Sequence, residues 1–368
     1  MEDISPVTEK ARLPVEFDLR PYLLDHRFDG KPVLPAVEAM QLLAGTTRNY
    51  LPRIDPLRIC GATFDKFLYL EQISDHTVTG IFNDLEIDKH GRVTARLLTK
   101  NRLKKAGITR LKEHVTLRFG EPLFDMRIPD LETAKTLQTE PFEVSAERLY
   151  RELVPFGPAF QNVKDTLTLA EDGAVAAIRS SSAAAPFGPL GSPFPIDAAF
   201  HAACAWGQRF SSIIGFPVGF NERIIFQPTQ PDVTYISRII PVRQQTDPVI
   251  LDFDIHLFDE TGAVRETMCG LQLKDVSGGR LKPPPWIQKE AGQPYIIASI
   301  KISFLYRQND TPIIGVFNIM DNDIKTDRPS EKPIGRFKKF RASICKHCPA
   351  CNRARENPKS LTGRILHH

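Results

Sequence analysis

Cysteine is scarce in this chain, with six in 368 residues, and Cys60, Cys204 and Cys269 each stand alone in apolar or strand-like surroundings. They read as buried thiols, and their isolation argues against a disulfide framework and for a reducing cytoplasm. No apolar run approaches the roughly 20 residues that cross a bilayer. The N-terminus, MEDISPVTEK, is acidic and polar with no apolar stretch behind it, so no secretory signal is expected. Also missing are a nucleophile elbow, a glycine-rich dinucleotide fingerprint and a phosphate loop. Nucleic-acid binding finds no supporting fold motif either.

What is present suffices for a large core. Apolar residues make up 42% of the chain and charged residues 25%, the balance of an ordinary globular protein with more than one folding unit. Charge is unevenly spread. From Lys325 to His368 there are twelve Lys and Arg against three Asp and Glu, a net of +9, so the rest carries −5 of the overall +4. The basic character belongs to the tail.

Two halves show the same order of elements. In the first, Pro35 to Ala44 reads as a helix, with Val37, Met40, Leu43 and Ala44 at helical spacing and Pro35 tolerated in the first turn. Strand-like segments follow near 62–70, 77–88, 93–100 and 108–119, with Lys89-His90-Gly91 as a turn. In the second half, Ile196, Ala199, Phe200, Ala203, Cys204 and Gly207 form a helical stripe of apolar and small residues suited to close packing on a sheet. Strands are expected near 221–228, 233–243, 249–258 and 263–275, with Asp259-Glu260-Thr261-Gly262 as a hairpin turn. A long helix with an antiparallel sheet, given twice, is an α+β reading. The boundaries expected are 1–135 and 136–276 for the two halves, 277–294 for a Gly/Pro-rich linker, and 295–368 for a basic, cysteine-containing extension of unassigned fold.

Two short motifs carry chemistry. His26 precedes a turn shaped by Gly30 that feeds the first helix at Pro35; glycine permits close backbone approach to a ligand, and helix-start amides favour negative charge. Asp197 opens the second helix, with His201 one turn later on the same face. Each has a bland alternative. A histidine beside a turn is more often structural, and an aspartate at a helix start is commonly an N-cap or dipole partner. His76, His90, His114 and His256 lie in turns or alternating strands and read as solvated or structural. In the tail, Cys345, Cys348 and Cys351 surround His347 at a spacing that can ligate zinc or an iron–sulfur cluster. Zinc sites normally pair two separated ligand couples, and only one compact group exists here. The interspersed Lys338, Lys339, Arg341, Arg353 and Arg355 read as a solvated or partner-facing surface.

Together the motifs resemble the dehydratase domains of polyketide synthases and multienzyme fatty acid synthases. His26-x3-Gly30-x4-Pro35 meets that family's first motif, and Asp197-x3-His201 its second. Between them the family's Tyr-Gly-Pro-x-Phe appears as Phe156-Gly157-Pro158-Ala159-Phe160, and FPVGFNERIIFQP at 216–228 is similar to its strand after the second helix. The likeness covers about residues 13–276. One departure stands out: Phe156 keeps the ring of the family tyrosine and loses its hydroxyl donor.

The resemblance implies a double hotdog, two antiparallel sheets each wrapping a long central helix. It implies dehydration of a β-hydroxyacyl thioester, with His26 as base and Asp197 as acid. Gly30, Pro35, Phe156, Gly157, Phe160 and His201 would line the substrate, and His201 would orient Asp197. No metal or organic cofactor is called for. The substrate would arrive on the phosphopantetheine arm of an acyl carrier protein, supplied in trans because His26 lies close to Met1, and a homodimer is compatible with the family. A product-template or cyclase-like domain and a silent acyl-binding or scaffold module are the alternatives. The basic tail is expected to attract an acidic carrier protein.

Overall fold

Alternating apolar residues pair into one long antiparallel sheet, and two helices pack against it. The computed structural model describes residues 7–74, 77–102, 109–120, 128–181, 188–246, 248–288, 300–308 and 311–319. The chain divides into two units, 1–297 and 298–368. In the first, the early strands are β1 (Val7–Pro14), β2 (Arg27–Phe28), β3 (Lys31–Pro32), β4 (Arg58–Phe64), β5 (Val78–Asp88), β6 (Val93–Arg102) and β7 (Thr109–Phe119). The later ones are β8 (Phe142–Ser145), β9 (Val163–Ala170), β10 (Gly173–Arg179), β11 (Phe216–Phe220), β12 (Glu222–Ile225), β13 (Thr234–Thr246), β14 (Val249–Asp259) and β15 (Val264–Lys274). Apart from the small β2–β3 hairpin they form a single sheet in the order β1-β5-β6-β7-β4-β11-β15-β14-β13-β10-β9-β8, with β12 bridging β4 and β15.

Each half wraps one helix. The first, Ala36–Tyr50, packs on β5, β6 and β7; the second, Phe194–Phe210, packs on β9, β10, β13 and β14. Val37, Met40, Leu43 and Ala44 are buried as their spacing predicts. Ala198, Ala199, Ala202, Ala203 and Ala205 of the second helix are wholly buried, so small side chains let the sheet close on it. The two helices also touch each other.

Several boundaries differ from the sequence expectation. The first helix runs past Ala44 to Tyr50, and Pro35 is its N-cap rather than part of its first turn. The strand expected at 62–70 ends at Phe64; Leu68 and Leu70 beyond it are buried from a loop, which imitates strand alternation. The strand expected at 221–228 is the shorter Glu222–Ile225, and a separate strand, Phe216–Phe220, precedes it across a break at Asn221. Cys60, Cys204 and Cys269 are partly rather than fully buried, and burial pushes the Cys204 thiol up to about 11 and Cys269 to about 12. The Gly/Pro-rich stretch is seated as far as Gln288: Ile287 is fully buried, and Arg148 lies 3.4 Å over the Trp286 ring. Backbone composition suggests a linker there, but Trp286 and Ile287 supply the anchor.

The second unit contains the antiparallel pair β16 (Ile300–Gln308) and β17 (Thr311–Ile319), where two β-rich stretches were expected. His76, Cys345, Cys348, Cys351 and the basic tail lie outside the described residues. Among the described residues no helix is long and apolar enough to cross a membrane, and no group of three His, Cys, Asp or Glu is placed to hold a metal ion.

A buried ion pair sits where β12 joins the halves. Arg223 Nε and Nη2 donate to Glu266 at 2.7 and 3.1 Å, and Nη1 lies 3.7 Å from Met40 Sδ on the first helix. Both side chains are 2% exposed. Removing one partner strands the other charge in the core, which typically costs about 3–5 kcal/mol. Arg223→Ala is therefore expected to lower the urea midpoint sharply, while Arg223→Met with Glu266→Leu recovers most of the loss. Urea titration of the three variants checks this; an unchanged midpoint in Arg223→Ala would show the pair to be unimportant.

Candidate active site

His26 follows a short 3-10 segment, Pro21–Asp25, and stands at the base of the β2–β3 hairpin. The two residues at the tip, Asp29 (φ 51°) and Gly30 (φ 76°), both have positive φ, as a two-residue turn matching the strand twist requires. Gly30 is exposed and a Cβ there would meet nothing, so the motif glycine serves the turn rather than close packing. The carbonyl of His26 accepts from Val33 N–H at 3.0 Å, closing the loop just ahead of Pro35 and the first helix.

Asp197 lies in the first turn of the second helix and is 4% exposed. It is not the N-cap; that position is Pro193, which makes no side-chain capping bond. His201, also 4% exposed, brings Nε2 to 3.0 Å from Asp197 Oδ2. The contact is close but not aligned as a hydrogen bond, and neither atom has another partner.

Phe156 and Phe160 close the gap between these elements. The Phe156 ring stacks on His26 (centroids 4.3 Å, 25°) and lies 5.0 Å from His201; Phe160 meets His26 edge-on at 5.2 Å. Phe160 also packs on Phe194 at 5.6 Å, and Phe200 is buried. The departure from the family tyrosine thus places a bare ring against both histidines. Asp25 fixes this wall to the His26 loop. Its carboxylate accepts from Ala159 N–H (2.9 Å) and its carbonyl from Gly157 N–H (2.8 Å), and a Cβ on Gly157 would run into the Asp25 side chain.

Burial dominates the electrostatics. It pushes His26 down to about 4, opposed by the charge of Asp197 and helped by His201, so both residues lie within electrostatic reach of the ring. Part of His26 is open to solvent, yet Nδ1 is dry and without a partner. At neutral pH the imidazole is uncharged and holds a free lone pair. His114, hydrogen-bonded to Thr99 and the Lys66 carbonyl, is also held near 4 by burial, and His256 is lowered by burial as well. Burial pushes Glu38 up to about 7 despite the Tyr22 hydroxyl donating to it at 2.9 Å.

These shifts set a pH dependence of stability. Between about 4 and 6.5 the unfolded chain takes up protons that native His26 and His114 refuse, so stability rises with pH across that window. Glu38 opposes this between 4.5 and 7, because there the native state holds the extra proton. Two histidines outweigh one carboxyl. Urea midpoints are expected to climb from pH 4 to 6.5, and more steeply in Glu38→Gln; a flat profile would contradict the burial of these rings.

The structure thus brings His26, Asp197, His201, Phe156, Gly157 and Phe160 into one cluster, with Pro35 buried at the N-cap of the first helix and Gly30 outside on the hairpin tip. Sequence reasoning missed Asp25, Glu38 and Gln41. Gln41 donates to the Gly191 carbonyl (2.6 Å) and accepts from Leu190 N–H (3.1 Å), anchoring the segment that leads into Asp197. The available signal was a polar residue inside an otherwise apolar helical stripe. His90 is exposed, and His114 and His256 are buried in strands.

The architecture and paired helices define a double hotdog. Residues 129–283 match the family described as polyketide synthase dehydratase N-terminal domain, a stretch that contains Asp197 but not His26. Over that stretch the chain is similar to polyketide synthase dehydratases. The dehydratase domain of RzxB from Pseudomonas fluorescens is 17% identical with a TM-score of 0.56, covering 72% of this chain and 94% of that one. A trans-AT polyketide synthase dehydratase domain from Brevibacillus brevis is 18% identical with a TM-score of 0.53, covering 72% and 92%. CurJ dehydratase, in an inactive form with histidine replaced by phenylalanine and a compound bound, is 14% identical with a TM-score of 0.56, covering 72% and 90%. A comparison with curated proteins returned no match.

Proposed function

We propose that this domain removes water from a β-hydroxyacyl thioester carried by an acyl carrier protein. Relationship to polyketide synthase dehydratases supports dehydration as the general reaction. The observation that carries the finer reading is a neutral imidazole with a dry Nδ1 and a buried carboxyl joined through a wall of phenylalanine rings. Neutral His26 takes the proton from the carbon next to the thioester. Asp197 in its acid form gives its proton to the β-hydroxyl, which leaves as water while the carbon–carbon double bond forms. Each turnover leaves a proton on His26 and a charge on Asp197, and transfer between them resets the pair. Amides at the nearby helix starts favour the negative charge that develops on the thioester oxygen.

Incubation with β-hydroxyacyl carrier substrates, followed by mass spectrometry, tests this. Loss of one water to give an α,β-unsaturated thioester is the expected result. A cyclised product would favour the product-template reading, and binding without turnover a silent acyl-binding module.

A further inference from the structure

Behind Asp197 and His201 lies a buried phenol that the reaction above does not use. Tyr150 is 5% exposed and stands on a π-helical segment, Leu149–Leu153, closed by Val154 N–H donating to the Leu149 carbonyl at 2.9 Å. Such π turns are rare and often occur at functional sites, because the wider turn re-aims a side chain. Here it carries the Tyr150 hydroxyl to 3.4 Å from His201 Nδ1, with the rings meeting edge-on at 5.7 Å. The phenol oxygen accepts from Val163 N–H at 2.8 Å.

The phenol's own proton decides the direction of the remaining bond. A hydroxyl offers two lone pairs and one proton. Val163 N–H takes one lone pair, and the buried phenol's proton needs an acceptor, which among the described residues is His201 Nδ1. Nδ1 then holds a lone pair, so in neutral His201 the proton sits on Nε2, the atom 3.0 Å from Asp197 Oδ2.

We infer that Tyr150 is a positioning residue that fixes His201 as the Nε2–H tautomer, so that a hydrogen rather than a lone pair faces Oδ2 of Asp197 and the acid proton is kept to Oδ1. The opposite tautomer would turn a lone pair toward Oδ2 and draw that proton into a bond with His201, away from the substrate. The effect on rate rests on Asp197 being the acid; the tautomer does not.

The test reads tautomer and rate separately, using the full chain. Long-range proton–nitrogen correlation spectra of histidine-labelled protein should show His201 as the Nε2–H form, and Tyr150→Phe should mix the two forms. In that variant kcat is expected to fall about tenfold, the scale of one lost buried hydrogen bond, with KM little changed. In a His201→Gln background, where no tautomer exists, Tyr150→Phe should lower kcat no further. His201 found as Nδ1–H in the unaltered protein would overturn the proposal even if Tyr150→Phe failed to fold. So would an unchanged tautomer in a folded Tyr150→Phe, or an equal kcat loss in both backgrounds. A correct tautomer in a protein that dehydrates no thioester would instead overturn the dehydratase reading and leave the tautomer assignment standing.

Discussion

His26→Ala is expected to lower turnover of a β-hydroxyacyl thioester by on the order of 10² to 10⁴, the usual cost of losing a general base. The fold should survive, because His26 stands at a hairpin base outside the two helical stripes and keeps part of its surface in solvent. The loss should fall mainly on kcat, since Phe156 and Phe160 remain to line the site. An independent signature accompanies it. His26 is one of two histidines that burial holds near 4, so its removal should weaken the rise in stability between pH 4 and 6.5. Near wild-type turnover in a folded His26→Ala protein would end the assignment of the base. A lost rate with an unchanged stability profile would keep the base and contradict its burial.

The parts of this site that the sequence reveals are those fixed by local rules. His26-x3-Gly30 is legible because Asp29-Gly30 must be a turn, and Asp197-x3-His201 because helical spacing stacks the two side chains. Helical stripes likewise disclosed both central helices, although capping by Pro35 and the run to Tyr50 did not follow from the apolar pattern. What stayed hidden depends on long-range pairing. Asp25 looks like an ordinary surface aspartate until Ala159 and Gly157, more than a hundred residues away, arrive on it. Tyr150 needs both its π turn and the Val163 amide before it has a role. Strands β8 to β10 are not evident in the sequence: β8 has only four residues, and β10, GAVAAIR, is rich in alanine and glycine, which favour strands little. In the loop after β4, the alternation of Leu68 and Leu70 was real, but burial rather than sheet pairing explains it.

Asp197→Asn should be close to inactive, with a loss again on the order of 10² to 10⁴ for a missing general acid. The amide matches the carboxyl in shape and still hydrogen-bonds, but it has no acidic proton for the leaving hydroxyl. The bland alternative, an aspartate kept for the helix, makes a different forecast. Asn replaces Asp well as an N-cap, but here the cap position is Pro193 and Asp197 lies inside the first turn. In its acid form Asp197 has no charge for the helix N-terminus to favour, so the amide costs the helix little, whereas a charged dipole partner would be missed as a drop in Tm. His201 keeps its place, because its ring is held by Tyr150 and Phe156 as well as by residue 197. Activity and stability should therefore separate, with a large fall in kcat beside a minor change in Tm. A variant that dehydrates at nearly the original rate while melting slightly earlier would make Asp197 a dipole partner, and the hydroxyl's proton would have to come from another group.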